Sequence, residues 1–192
     1  MLKTLNNLIK AYVGETLARN KYTLFSKIAK KEGFEYISKI FLITAENELE
    51  HAKWFLKMAE SLNKDKIDIN INLSFSLKTK NTLEALKEAI EGEKFEYTNL
   101  YPKFAQIARE EGFEEIAKRI DAIAFAENHH KERFEKLYDL LKENKFFKRD
   151  KKIKWVCLKC GYVHESEEAP QVCPSCSHPQ GYFAPSDLNI VY

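Results

Sequence analysis

Apolar residues recur at helical spacing through four long stretches of the chain. In residues 2–31, Leu5, Leu8, Ile9, Tyr12 and Val13, followed by Thr16 and Leu17, share one face. In residues 34–62 the same spacing links Ile37, Ile40, Phe41, Thr44, Ala45, Glu48, Ala52 and Phe55. A third stretch opens near Asn81, with Glu84 three residues on as a capping box, and runs to about Glu111. A fourth runs from Phe113 to about Asn144. Gly33 and Gly112 stand where a left-handed residue would end the first and third helices. Joins this short fold each pair of helices as an antiparallel hairpin. Between the pairs, residues 63–80 lose the helical period, and Ile67, Ile69, Ile71, Leu73 and Phe75 alternate. No second strand is visible to pair with them, so they read as an extended crossover strapping the outside of the bundle. The expected fold is an all-α four-helix bundle with a long crossover between helices two and three.

The two hairpins form an internal repeat. Glu32-Gly33-Phe34-Glu35 returns as Glu111-Gly112-Phe113-Glu114, an offset of 79. At that offset Ile37 matches Ile116, Lys39 matches Lys118 and Ala45 matches Ala124, while Glu48 falls on Glu127 and His51 on His130. Upstream, Gly14-Glu15 pairs with Gly92-Glu93 at offset 78, one residue different. The repeat implies a pseudo-twofold bundle, and a site on its axis receives equivalent ligands from both halves.

The pattern changes near the C-terminus. Residues 145–154 are basic, end the helical period and read as a linker; beyond them Cys, Pro, Gly and Tyr appear. This places a domain boundary near 151, giving a bundle over 1–150 and a small unit over 151–192. A chain of 192 residues suits one domain with such an appendage. Lys+Arg 31 against Asp+Glu 29 leaves no global field to steer nucleic acid. The six glycines are too dispersed for a phosphate-cradling loop. No apolar run approaches the roughly 18 residues of a membrane span. The N-terminus lacks a signal-peptide pattern, so a soluble cytoplasmic protein that engages neither membrane nor nucleic acid is expected.

Chemistry concentrates in two constellations. Glu48 with His51 and Glu127 with His130 are both E-x-x-H, a spacing that puts the pair on one helical face. Glu15 and Glu93 are single glutamates in otherwise apolar stretches of helices one and three. One Glu from each of two helices, with E-x-x-H from each of the others, is the carboxylate-bridged di-iron arrangement of four-helix bundles. Two close divalent cations repel, and bridging carboxylates offset that repulsion; oxygen and imidazole ligands suit iron. Taken singly, each E-x-x-H is better explained by a solvated charged face. Four elements related by one repeat are not, because buried carboxylates without partners are costly. Only Glu48 with His51 and Glu127 with His130 satisfy both the spacing and the repeat, and Glu46, Glu50 and His129 read as outward or supporting residues. The repeat breaks at Glu96, one turn beyond Glu93, whose counterpart is Ala18. A seventh carboxylate therefore enters from one side, unless Glu96 is merely exposed.

All four cysteines lie in two C-x-x-C pairs, Cys157 with Cys160 and Cys173 with Cys176. Nothing suggests an oxidising compartment, so a tetrathiolate metal site is preferred to two disulfides. Spacing does not choose between zinc and iron. Trp155, Tyr162, Tyr182 and Phe183 can form the small core of such a unit, with the metal supplying much of its folding energy.

Gly14-Glu15 through Arg19-Asn20-Lys21-Tyr22, Glu48 to His51, Gly92 to Tyr97 with Tyr101-Pro102, Glu127 to His130 and the terminal Cys157–Cys176 unit together resemble rubrerythrin. The likeness spans essentially the whole chain. It implies a ferritin-like bundle with a non-haem di-iron centre, followed by a rubredoxin-like domain that holds iron on its four cysteines, although zinc can take that site in recombinant protein. It implies that Glu48 and Glu127 bridge both irons, that Glu15 binds one and that Glu93 with His130 binds the other. Glu96 and His51 would exchange on the first iron with redox state, and Tyr22 and Tyr101 would donate hydrogen bonds near the centre. The implied activity is reduction of hydrogen peroxide to water in oxidative-stress defence. Its electrons would pass through the tetrathiolate site from rubredoxin or an NAD(P)H-dependent reductase, because the chain has no nicotinamide or flavin motif. A head-to-tail homodimer is also implied. Other readings are ferroxidase and iron storage, dioxygen activation or reduction, and a structural zinc ribbon at the cysteines.

Overall fold

A computed structural model of the chain describes residues 2–63 and 79–188. Two helical hairpins make the bundle. The first is α1 (Lys3–Lys31) and α2 (Glu35–Leu62). The second is α3 (Thr82–Phe95), a π-helical turn (Glu96–Leu100), α4 (Tyr101–Glu110) and α5 (Glu114–Lys142). Most of the alternating segment read as a crossover, residues 64–78, lies outside the described residues.

The hairpin turns obey the expected chemistry. Gly33 (φ 82°) and Gly112 (φ 85°) are left-handed. Gly33 N–H donates to Lys30 O and Phe34 N–H to Ala29 O, and the same pair of bonds recurs at Gly112 and Phe113. This double closure satisfies carbonyls the helix would otherwise leave open. Asn81 caps α3, its side chain accepting from Glu84 N–H at 2.8 Å, while Glu84 reaches back to Lys80 N–H. The repeat also ties the hairpins to each other. Glu111, in the second turn, accepts from the N–H groups of Lys3 and Thr4 at the start of α1. Glu32, its repeat mate, accepts from Thr82 N–H at the start of α3. Each turn thus closes the N-terminus of the other hairpin, where a negative charge is favoured.

The helix read as unbroken from 81 to 111 contains one irregularity. Glu15 and Glu93 match at offset 78 but Tyr22 and Tyr101 at 79, so the second half holds one extra residue between 93 and 101. The π-helical turn at Glu96–Leu100 lies in that interval. A π turn absorbs an added residue without rotating the helix beyond it, which keeps both ends in register with the repeat.

The apolar core is split in two. One cluster gathers Tyr22, Phe25, Ala29, Ile40, Phe41 and Phe134. The other gathers Leu5, Leu8, Phe55, Tyr101, Phe104 and Ile120. The repeat maps Tyr22, Phe25 and Phe41 of the first onto Tyr101, Phe104 and Ile120 of the second. On α1, α2 and α5 the residues read as ligands lie between the segments that feed the two clusters, and Glu93 and Glu96 lie between the α3 residues of the first cluster and the α4 residues of the second.

The C-terminal unit is a three-stranded antiparallel sheet in the order β2-β1-β3, with β1 Lys148–Cys157, β2 Val163–Glu168 and β3 Phe183–Pro185. Trp155 is fully buried with Ile153, Cys157, Cys173 and Phe183. The segment read as a linker is partly strand: Lys148 already pairs with Glu168, and Arg149 is tied to Asp187 at 2.7 Å. The unit rests against the α1–α2 turn. Phe34 packs on Phe146 and Phe147, and Tyr36 donates its hydroxyl to Leu188 O. A Cβ at Gly181 would meet Gly33 O at 2.1 Å, so only glycine permits this approach.

Candidate metal centre

Six side chains converge between the two apolar clusters. Glu15, Glu48, Glu93, Glu127 and His130 are each no more than 3% exposed. Ligand-type atoms of Glu15, Glu48, His51 and Glu127 lie within 4.8 Å of one another, and so do those of Glu48, Glu93, Glu127 and His130. Glu48 and Glu127 belong to both groups. Each group therefore takes its own terminal glutamate and histidine and shares two carboxylates with the other.

The histidines present the same atom. His51 Nδ1 lies 2.9 Å from Glu48 Oε2 and 2.9 Å from Glu127 Oε1. His130 Nδ1 lies 2.9 Å from Glu127 Oε2, 3.1 Å from Glu48 Oε1 and 3.5 Å from Glu93 Oε2. Helical i, i+3 spacing sets the Glu48–His51 and Glu127–His130 pairs. Tyr22 donates to Glu93 Oε1 at 2.5 Å, and Tyr101 donates to Glu15 Oε1. The repeat is again crossed, each tyrosine holding the glutamate of the other hairpin.

The electrostatics ask for cations. Burial, then neighbouring Glu48 and Glu96, raise Glu15 well above the usual carboxylate range. Burial with Glu48 and Glu15 does the same to Glu127, and burial with Glu48 raises Glu93. Burial also works against ionisation of Glu48, but His130 and His51 outweigh it and hold Glu48 at about 2. Like charges packed this closely cannot all ionise without a positive counterpart. Among the described residues, Glu15 Oε2, Glu48 Oε1, Glu93 Oε2, both oxygens of Glu127 and His130 Nδ1 are buried without a well-aligned hydrogen bond, although the carboxylate oxygens of Glu48, Glu93 and Glu127 crowd the imidazole nitrogens at 2.9–3.5 Å. Buried polar atoms without a well-formed hydrogen bond are rare in folded proteins, and here they gather in one place. An oxygen- and imidazole-rich donor set of this kind fits two first-row divalent ions.

Glu96 stands apart. It is partly buried in the π turn and belongs to neither ligand group. Burial, with Glu93 and Glu48, raises it well above the usual range. Glu46, Glu50 and His129 are exposed. Sequence reasoning misses Arg133, which is 4% exposed and donates from Nη2 to Thr44 Oγ1 at 2.5 Å. Its one signal is a lone cation on the buried face of α5, one turn past His130.

The four thiols converge equally well. Their sulfurs all lie within 4.8 Å, with Cys157–Cys176 and Cys160–Cys173 at 3.7 Å each. A disulfide needs about 2.05 Å. Sulfurs at the corners of a tetrahedron with metal–sulfur bonds of about 2.3 Å are about 3.8 Å apart, which fits. The two knuckles are built alike. Gly161 N–H donates to Cys157 O and Ser177 N–H to Cys173 O, while Cys157 N–H reaches Tyr162 O and Cys173 N–H reaches His178 O.

Comparisons with known proteins agree with both sites. The family described as Rubrerythrin matches residues 6–138, and the rubrerythrin rubredoxin-like domain matches residues 155–184. A Methanocaldococcus jannaschii protein assigned to the rubrerythrins is 54% identical, over 95% of this chain and 92% of its own. The rubrerythrin of Clostridium perfringens is 50% identical, over 94% and 93%. Among solved structures, fully reduced, all-ferrous nigerythrin superposes with a TM-score of 0.64 at 29% identity, covering 95% of this chain and 86% of its own. With a ferritin-like bundle and a rubredoxin-like appendage on one chain, this protein belongs to the rubrerythrin family.

Proposed function

We propose that the protein is a non-haem di-iron peroxidase that reduces hydrogen peroxide to water and serves oxidative-stress defence. The observation that carries this is the sharing of Glu48 and Glu127 between two adjacent ligand groups. Glu15 and His51 would complete one iron site, and Glu93 and His130 the other. Cys157, Cys160, Cys173 and Cys176 would hold a third iron. When bound, the iron pair supplies two electrons at once, so peroxide and two protons give two waters without release of a radical.

The chain's own residues prepare that chemistry. Burial and the nearby carboxylates raise the phenols of Tyr22 and Tyr101 well above their ordinary values. Both therefore stay protonated at neutral pH and keep donating to Glu93 and Glu15, fixing carboxylate orientation. Burial, with Glu93 and Glu48, favours the protonated form of Glu96, which would supply a proton for cleavage of the peroxide bond. The apolar clusters on either side exclude water from the layer.

We assign residues 1–150 to the peroxide-reducing bundle and 151–192 to the electron-relay unit, loaded by rubredoxin or an NAD(P)H-linked reductase in the cytoplasm. Among the described residues no helix is long and apolar enough to cross a membrane. The relay unit packs at Gly33, and Glu48 lies fifteen residues further along the chain. That is roughly 20 Å of helix axis at 1.5 Å per residue. Electron tunnelling weakens exponentially with distance, which favours a head-to-tail dimer in which each relay unit serves the partner's bundle.

The test is peroxide consumption by iron-replete protein supplied with a reductase. Glu127→Ala should abolish turnover. Cys160→Ser should abolish reductase-driven turnover but spare one turnover of chemically reduced protein. Full reductase-driven turnover in Cys160→Ser would overturn the relay, and full turnover in Glu127→Ala would overturn the site.

A further inference from the structure

Among the described residues Arg133 is a buried cation without an ion pair. Only 4% of the residue is exposed. No carboxylate lies within 4 Å of the guanidinium among the described residues, and Nε has no hydrogen-bond partner. Nη2 donates to Thr44 Oγ1, which itself donates to Ile40 O. Burying an unpaired charge is expensive, so the position calls for a compensating field.

That field comes from the ligand layer. Arg133 follows His130 by three residues on α5, and Thr44 precedes Glu48 by four on α2. The guanidinium therefore lies about one helical turn from both ligands. Glu93 and Glu48 are the carboxylates that act most strongly on it, followed by the Tyr22 phenol that bonds Glu93. Glu15, Glu48, Glu93 and Glu127, when ionised, match the charge of two divalent irons. Arg133 then leaves the layer with one positive charge in excess while Glu96 keeps its proton, and neutral once Glu96 gives it up. In neither case is there negative charge to spare for a more highly charged iron pair.

We propose that Arg133 is a charge-balancing residue that stabilises the two-iron centre in its divalent state and so raises its reduction potential. The proposal rests on the di-iron reading of the site. Oxidation adds positive charge beside a fixed, desolvated cation, and the low local dielectric keeps that repulsion from being screened. Arg133 needs no contact with substrate or with a ligand to act in this way, and it does not lose its proton.

The test is potentiometric titration of the iron-replete full-length protein, with iron counted first. Arg133→Met should shift the reduced/oxidised equilibrium toward the oxidised form by about tenfold per electron or more, a fall of about 59 mV. Arg133→Lys, which keeps the charge, should stay near the parent. Thr44→Asp pairs the guanidinium in place and reaches the same net charge without hollowing the core. It should lower the potential too, and it answers the question if Arg133→Met does not fold. Two irons bound with an unchanged potential in Thr44→Asp, or in a folded Arg133→Met, would overturn the proposal alone. Failure of the parent to bind two irons would overturn the site reading and the proposal with it.

Discussion

Tyr22 on α1 donates its hydroxyl to Glu93 on α3 at 2.5 Å, across the boundary between the two hairpins. Tyr101 answers from α4 to Glu15 on α1. A pseudo-twofold fold could have placed each tyrosine beside the glutamate of its own hairpin. The crossed arrangement instead makes the positions of the two glutamates depend on the hairpins being docked.

Replacing either tyrosine by phenylalanine should therefore act on the centre more than on the fold. Partners that orient metal ligands are worth about 10–100-fold in metal affinity or activity. Tyr22→Phe should loosen the Glu93 site, and Tyr101→Phe the Glu15 site, each by an amount in that range. Divalent-metal titration followed by circular dichroism checks this. Unchanged affinity in both variants would show that the phenols do not orient the carboxylates.

The metal-free protein should be least stable at high pH. Glu15, Glu96 and Glu127 are raised well above 4.5, and Glu93 is raised, chiefly by burial. A carboxyl raised in the fold stabilises it fully below its unfolded value, and the contribution is lost as pH rises through the folded value. His51 and His130 are also raised, against burial, by the surrounding glutamates, so their contribution likewise fades as pH rises above about 6.5. Glu48, held at about 2, acts in the opposite sense and only in acid below its ordinary value. Calorimetry in chelator should show the midpoint falling by several degrees from about pH 5 to pH 8, since each kcal/mol is worth about 2–4 °C in a chain of this size. Divalent metal should flatten the profile. A midpoint that rises over that range without metal would contradict the charge assignment.

The π turn makes a length prediction. Deleting the exposed Thr98 removes the extra residue and should leave a continuous helix with Glu93 and Tyr101 still facing inward. Deleting Lys87 from α3 should instead rotate Glu93 by about 100° against its cap. The Thr98 deletion should keep helical content and bind two divalent ions, and the Lys87 deletion should bind them far more weakly. Equal loss in both would show that the π turn is not where the added residue is absorbed.

Much of this was legible in residue spacing. The hairpins, the left-handed glycines and the Asn81 cap follow from local rules, and the repeat singles out Glu48, His51, Glu127 and His130 among competing acids and histidines. The one-residue change in offset was visible too, but nothing in side-chain chemistry says that a backbone absorbs it as a π turn. Arg133 stayed hidden because a charged residue on a helix is ordinarily solvated, and only packing reveals that this one is not. The early start of β1 was masked by its basic composition, which suits an exposed edge as well as a linker. The capping of α1 by Glu111 and of α3 by Glu32 joins residues too far apart for any local pattern to show.

The central claim is peroxide reduction fed by the tetrathiolate iron, and rapid mixing tests it most directly. Iron-replete protein, reduced without oxygen, would be mixed with hydrogen peroxide and separately with dioxygen, following the di-iron and iron–thiolate absorbances together. Much faster oxidation by peroxide, with the thiolate-bound iron oxidised in its wake, is the predicted result. Faster oxidation by dioxygen, or a tetrathiolate site that never changes, would contradict it and point to ferroxidase or oxidase chemistry instead.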